Sequence, residues 1–401
     1  MKRAHVSVFT PCGRGRILSV LPLCTELARR GHRVTYPTIS YFARDIAESG
    51  AEPLLVEGYR LPDDVLEQHT KTSSLRDNPP QIKKTEQSLK RYVFADAVEM
   101  LRQVESLYRN NMPDIVLYDR YYIPGRVFAN QHSLTSVPMT THFAFYDNLA
   151  VYRNGVCENP DSAIEWSAEL DSFLSRYGIT SGNSYWHIED LNIHFMPKQF
   201  QHHSEYFDDR FCFTGALLER RYQSIWRNPG AGKPVILISG MTLPNDGEMD
   251  YAGYFGILVE ALAELPYHCV LSLGDGLFSS QLPSNFEINR RASHLEILPH
   301  ASLFIGHGGA TSTLEAIYNG VPVLNVPRWE VCDEIAYRAE ELGLGARIPI
   351  ESLSIEIVRR TVARMLSDTA LRRRVTEMQE IFRRSGGATL AADRIEAQLV
   401  A

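Results

Sequence analysis

The stretch His307-Gly308-Gly309-Ala310-Thr311-Ser312-Thr313-Leu314-Glu315 decides how this chain is read. It follows an apolar run, Ser302-Leu303-Phe304-Ile305, with the character of a buried strand. It leads into a helical segment, Leu314 to Tyr318, closed by Asn319-Gly320. A Gly-rich turn therefore joins the end of a strand to the start of a helix. Glycines let backbone approach a ligand closely, and the first N–H groups of a helix have no partner within it. Such a turn attracts phosphate. Ser312 adds a hydroxyl, His307 can donate to a phosphate oxygen, and Glu315 can accept from sugar hydroxyls one turn on. A tight turn with a capping Ser and no ligand would account for Gly-Gly alone. The whole His-Gly-Gly-x-x-Ser-x-x-Glu spacing favours the ligand.

Outward from this element, strand and helix patterns alternate in two halves, which predicts parallel sheets covered by helices. In the first half His5–Phe9 reads as a buried strand, about Ile17 to Arg30 as an amphipathic helix closed by Gly31, and His32–Tyr36 as the next strand. Ile115–Tyr118 and Val137–Thr141 read as further strands. Residues 60–91 are polar, with Pro79-Pro80 and Lys83-Lys84, and read as an excursion from the core. Asn228-Pro229-Gly230 and Gly232 mark a linker over 219–233. Val235–Ser239 then opens a second sheet, continued by Cys269–Leu273, Leu303–Ile305 and Pro322–Val326. The expected domains are 1–218 and 234–385, with a charged helix at 386–401. Ligands in open parallel sheets sit beyond the carboxyl ends of the strands. The Gly-rich loop, Arg14, Arg16 and Asp119 are therefore expected to face a cleft between the two sheets.

A chain of 401 residues with a net charge of -7 is long enough for two cores and does not suggest nucleic acid as a partner. Its six cysteines form no Cys-x-x-Cys pair, so neither a zinc site nor a disulfide framework is indicated. No signal peptide or membrane-length apolar segment is visible, so the cytoplasm is the expected compartment, without stable membrane insertion.

The His307–Glu315 element resembles the nucleotide-sugar signature of family 1 glycosyltransferases of the GT-B type. That group includes plant UDP-glycosyltransferases and bacterial macrolide and antibiotic glycosyltransferases. The resemblance extends to Glu26–Tyr36, Met112–Asp119, Gly320–Leu324 and Glu341–Gly345. It implies an α/β fold of two Rossmann-like domains, the first binding the acceptor and the second the nucleotide sugar. The last helix would pack back on the first domain. It further implies an inverting hexosyl transfer from a nucleotide-diphosphate sugar to a small natural product, with no separate cofactor and no metal. A homodimer is compatible with it. In that picture His307, Gly308, Gly309, Ser312 and Glu315 hold the donor, and Thr242 adds a second phosphate-contacting hydroxyl.

Three departures from the family pattern stand out. The family's catalytic His, counted back without gaps from Gly31, falls on Arg16. An Arg cannot serve as a base at neutral pH. The family's partner carboxylate falls on Asp119. Either Asp119 itself takes the acceptor proton, or the acceptor needs little activation and Arg16 binds an anionic group on it. His142 and Asp147 are reserve bases. Second, the family's nucleobase-stacking Trp segment falls on Arg291-Ala292-Ser293-His294, where Arg291 and His294 take the place of the usual contacts. Third, the sugar-contacting acidic-Gln pair falls on Val331-Cys332, with Glu330 and Asp333 flanking it as substitutes. A sugar with fewer hydroxyls would suit this pair. On the acceptor side, Tyr121, Tyr122, Phe143, Phe145 and Tyr146 offer an apolar pocket. Arg14, Arg16, Lys83, Lys84, Lys90 and Arg91 favour a polar or anionic acceptor. A non-catalytic homologue that supports another glycosyltransferase is the alternative, argued from the missing His and the missing acidic-Gln pair.

Overall fold

The computed structural model describes residues 3–57, 96–144, 172–179, 188–218, 226–229, 232–240, 251–272, 282–289, 293–327 and 330–400. Among these the chain forms two compact units. The first holds the chain up to Leu218 and regains it from Arg384 onward; the second holds the chain between.

The first unit is built on strands β1 (His5–Phe9), β2 (Arg33–Thr38), β3 (Glu52–Leu55), β4 (Ile115–Asp119), β5 (Thr135–Thr140), β6 (Asn192–His194) and β7 (Phe211–Phe213). They form one sheet in the order β3-β2-β1-β4-β5-β6-β7, with every pair parallel. The strands β1 and β4 are buried along their whole length, as a sheet covered on both faces requires. Helices α1 (Arg14–Arg29), α2 (Ser40–Glu48), α3 (Asp96–Tyr108) and α4 (Ile123–Gln131) alternate with the strands. The order reverses at β1, whose neighbours are β2 and β4, so the loops after β1 and β4 leave the sheet at a topological switch point.

The helix α1 starts earlier than its apolar pattern predicts. Gly13 is extended and its carbonyl accepts from the N–H groups of Arg16 and Ile17, each at 3.0 Å. Arg14 and Arg16 are therefore first-turn helical residues rather than loop residues.

The second unit carries β8 (Val235–Ser239), β9 (His268–Ser272), β10 (Phe286–Asn289), β11 (Ala301–Gly306), β12 (Val323–Asn325) and β13 (Gly345–Arg347). They form a parallel sheet in the order β10-β9-β8-β11-β12-β13. Helices α5 (Tyr251–Leu262), α6 (His294–Ile297), α7 (Ala310–Tyr318), α8 (Glu330–Glu341), α9 (Ile355–Ser367) and α10 (Thr369–Arg384) complete it. Part of the expected linker is not a free spacer. Trp226 is buried, its indole N–H donates to Glu287, and its ring lies 5.6 Å from that of His300. A large aromatic side chain overrides the loop signal of its Pro and Gly neighbours.

The last helix, α11 (Gly387–Gln398), belongs to the first unit and packs on α1. Arg30 Nη1 donates to Asp393 and Glu396 at 2.6 Å each, and His32 Nε2 lies 2.9 Å from Glu396 Oε1. Burial opposes the charge on Glu396, but hydrogen bonds from His32 and Arg30 outweigh it and hold the carboxyl below its ordinary range. Hydrogen bonding from Arg29, with Arg30 assisting, holds Glu26 at about 2. Both values lie below that of an unfolded Glu, about 4.3. Their contribution to stability is thus complete above about pH 4.3 and is lost as pH falls through the folded values. The urea midpoint should drop over this acid window. Glu396→Gln should lower the midpoint at neutral pH and flatten the acid fall. An acid limb identical in the variant would remove the α1–α11 network as its cause.

Candidate functional site

Two clusters of polar side chains lie at the carboxyl ends of the strands, one in each unit.

In the first unit, β4 ends at Asp119. Its Oδ1 accepts from the Tyr121 N–H at 2.9 Å, and its Oδ2 accepts from Arg16 Nη1 at 3.1 Å. The Arg16 side chain is 27% exposed and that of Asp119 8%. Arg16 Nη2 lies 3.1 Å from His142 Nε2, just beyond β5. A guanidinium only donates, so Nε2 accepts and the ring proton sits on Nδ1. Burial, and then the charge of Arg16, hold the His142 pKa well below its ordinary value, so the ring is neutral. The Arg16 guanidinium also lies 5.2 Å from the centre of the Tyr121 ring, and His142 meets that ring edge-on at 5.4 Å. Arg16 thus bridges Asp119 and His142 above an aromatic floor.

Behind this cluster His194 Nδ1 donates to the His142 carbonyl at 3.1 Å, and Arg120 donates to Asn192 at 3.1 Å. Sequence reasoning missed both. Their position at strand ends was the available signal. Phe143, read as pocket lining, is a core residue stacked on Phe200. Arg14 is exposed. Asp147, Phe145, Tyr146, Lys83, Lys84, Lys90 and Arg91 lie outside the described residues.

In the second unit, β11 runs into His307 and Gly308, and α7 begins at Ala310. Gly308 has φ +81°, and a Cβ there would sit 2.5 Å from the Cys332 carbonyl oxygen. Only glycine fits this left-handed position against that backbone. Gly309 is the residue before α7 and supplies no side-chain cap. A Cβ on Gly309 would meet His307 Nε2 at 2.7 Å, so the imidazole lies against the opening turn of the helix. Ser312 stands in that first turn, half-buried, and is not the cap. The helix therefore presents unpaired backbone donors beside a ring nitrogen and a hydroxyl, the geometry of an anion site.

Glu315 lies one turn further along α7. Its Oε2 is 3.6 Å from His294 Nδ1, and His294 Nε2 is 3.1 Å from the Ser272 hydroxyl at the end of β9. A capping box between Ser293 and Glu296 fixes the start of α6 and with it the direction of His294. Glu315 and His294 are thus brought together, and Ser272 joins them although it was not foreseen. Asp333, expected beside the sugar, has a partner within its own unit. It is buried and accepts from Arg347 on β13, so its carboxylate is engaged within the unit. Thr242 and Arg291 lie outside the described residues.

Comparison with known proteins bears on the function of these clusters. Residues 257–386 match the family model "Erythromycin biosynthesis protein CIII-like, C-terminal domain". The chain is 32% identical to the NDP-glycosyltransferase YjiC of Bacillus licheniformis, covering 100% of this chain and 98% of that one. It is 28% identical to the demethyllactenocin mycarosyltransferase of Streptomyces fradiae, over 99% of this chain and 87% of that protein. Among solved structures, the calicheamicin glycosyltransferase CalG4 superposes with a TM-score of 0.75 at 32% identity, covering 100% of this chain and 99% of its own. The glycotransferase of kitacinnamycin gives 0.78 at 26% identity, over 99% and 100%. The two parallel-sheet units are those of the GT-B fold. The chain belongs to the family 1 glycosyltransferases of the EryCIII-like type and is a nucleotide-sugar glycosyltransferase of the natural-product class.

Proposed function

We propose that this enzyme transfers a hexosyl group, with inversion and without a metal, from a nucleotide-diphosphate sugar to a small natural-product acceptor of polar or anionic character. The observation that carries the reading is the start of α7, where Gly308 and Gly309 bare the backbone beside His307 and Ser312. The diphosphate gains negative charge as it leaves. Backbone donors fixed at a helix N-terminus meet that charge without reorganising. Glu315, oriented from His294, is placed to accept from donor hydroxyls. In the first unit Arg16 and Asp119 handle the acceptor, and the attack comes on the face of the sugar opposite the diphosphate. The relative named an NDP-glycosyltransferase supports the donor class.

Thermal denaturation with a panel of nucleoside diphosphates and nucleotide sugars tests this first. A donor that binds the folded state raises the midpoint by mass action. Turnover with that donor should persist in EDTA, and the product should carry the anomeric configuration opposite to the donor's. Activity lost in EDTA and restored by Mg²⁺ would overturn metal independence. Retained configuration would overturn inversion.

A further inference from the structure

We infer that the acceptor carries an acidic hydroxyl of the phenolic class, and that Arg16 holds it as the oxyanion while it attacks the sugar. The inference rests on the glycosyl-transfer reading and names its substrate class.

Among the described residues, the cluster puts a cation where the family resemblance puts a base, and the acceptors around it are already engaged by hydrogen bonds. Arg16 stands there and stays protonated. The lone pair of the neighbouring His142 Nε2 already faces Arg16 Nη2 at 3.1 Å. Asp119 accepts on both oxygens, from the Tyr121 N–H and from Arg16. Protonating it would break the pair with a permanent cation. An aliphatic alcohol has an acidity close to that of water, whose pKa is roughly 15.7, and needs a base as it attacks. A phenolic hydroxyl has a value of about 10 and can shed its proton beforehand. A fixed cation then favours the bound anion.

The geometry of Arg16 suits that task. Asp119 grips Nη1 and His142 receives Nη2, so the fork is fixed in direction. The Tyr121 ring supports one side of it. Asp119 and His142 use two of its five N–H donors, and the side chain is 27% exposed, so donors remain for a ligand oxygen. Among the described residues, Asp119, His142 and Tyr121 are the titratable groups that face it from β4 and the segments after β4 and β5, and Arg14 lies on its own helix. The step balances simply. The phenolic proton passes to bulk water on binding. The oxyanion forms a bond to the anomeric carbon as the bond from that carbon to the diphosphate oxygen breaks. The diphosphate leaves with the electron pair.

The test uses the full-length enzyme and the nucleotide sugar that gives the largest thermal shift. Acceptors are 2-naphthol, ring-substituted phenols of graded acidity, and 2-naphthalenemethanol, which matches naphthol in aromatic surface but not in acidity. Values of kcat/KM are measured from about pH 6 to 10, approaching the phenolic range. The naphthol should exceed the carbinol by about 10²-fold or more. The pH break should move with the ionisation of each phenol. Arg16→Gln should cut phenol kcat/KM by about 10²-fold, and Arg16→Lys, which keeps the charge, should lose less. Nucleoside-diphosphate binding checks that each variant is folded. Equal transfer to naphthol and carbinol, a break at one pH for every phenol, or donor turnover without any phenol transfer overturns the inference alone. Absence of donor binding by the wild type overturns the transfer reading and this inference with it.

Discussion

Asp119→Asn should lower kcat by about 10²-fold or more in a variant that still folds. Asparagine keeps the shape of the side chain, and its carbonyl oxygen can still accept from the Tyr121 N–H now bound by Oδ1. What it removes is the negative charge opposite Arg16 Nη1. Arg16 then loses the contact that fixes its direction, and the acceptor oxygen loses an aligned cation. The alternative role for Asp119, direct capture of the acceptor proton, predicts a loss of about 10²–10⁴-fold. Magnitude alone does not separate the two. A base would be missed most by non-acidic acceptors, which must lose a proton as they attack, whereas a positioning residue would be missed chiefly where the acceptor binds as an anion. Arg16→His restores the family's residue type beside Asp119, yet it gives up the contact with His142, so it should not simply raise turnover. Because Asp119 is buried and the variant leaves Arg16 unpaired, circular dichroism and urea unfolding accompany the kinetics. Full turnover by folded Asp119→Asn would remove Asp119 from the reaction and turn attention to His142 and Asp147. A wild type that binds donors but turns over none would favour the role of helper to another glycosyltransferase.

The parts of this fold legible in the sequence are those whose signal is local. Strand β8 keeps to its unbroken apolar run, Val235–Ile238, because a strand buried on both faces admits little else. The turn at His307–Gly309 was equally plain, since Gly308 needs a left-handed backbone that few other residues adopt. The start of α1 was not, because Arg14-Gly15-Arg16 lacks apolar residues and looks like loop. Pairings between distant elements were harder still. The identity of Arg16 and Asp119 was readable, but not that Arg16 also reaches His142, 126 positions along the chain. The engagement of Asp333 depends on Arg347, and the place of Phe143 on Phe200. Neither partner leaves a mark at the residue itself. Trp226 shows the opposite error, where turn-forming neighbours concealed a buried anchor.

His307→Ala and Gly308→Ala should both weaken nucleoside-diphosphate binding, with the glycine substitution the more severe. The half-buried His307 ring lies against Gly309 at the mouth of α7. Removing it deletes one donor and leaves the backbone cradle in place, at a cost of about 1–3 kcal/mol. By calorimetry that is roughly a five- to 150-fold rise in Kd. The added methyl of Gly308→Ala acts on the cradle itself. It would sit 2.5 Å from the Cys332 carbonyl oxygen, which is backbone of α8 and cannot swing aside as a side chain can. The backbone at φ +81° is also one that alanine adopts only with strain. The loop must therefore shift, and with it every N–H that would face the phosphates. A displacement of about 1 Å can cost on the order of 10² in rate. Donor affinity should fall with it and the thermal midpoint should drop, whereas His307→Ala should keep a near-native midpoint. Unchanged affinity in folded His307→Ala would remove His307 from the donor site. Wild-type affinity in Gly308→Ala as well would remove the turn before α7 as the phosphate cradle.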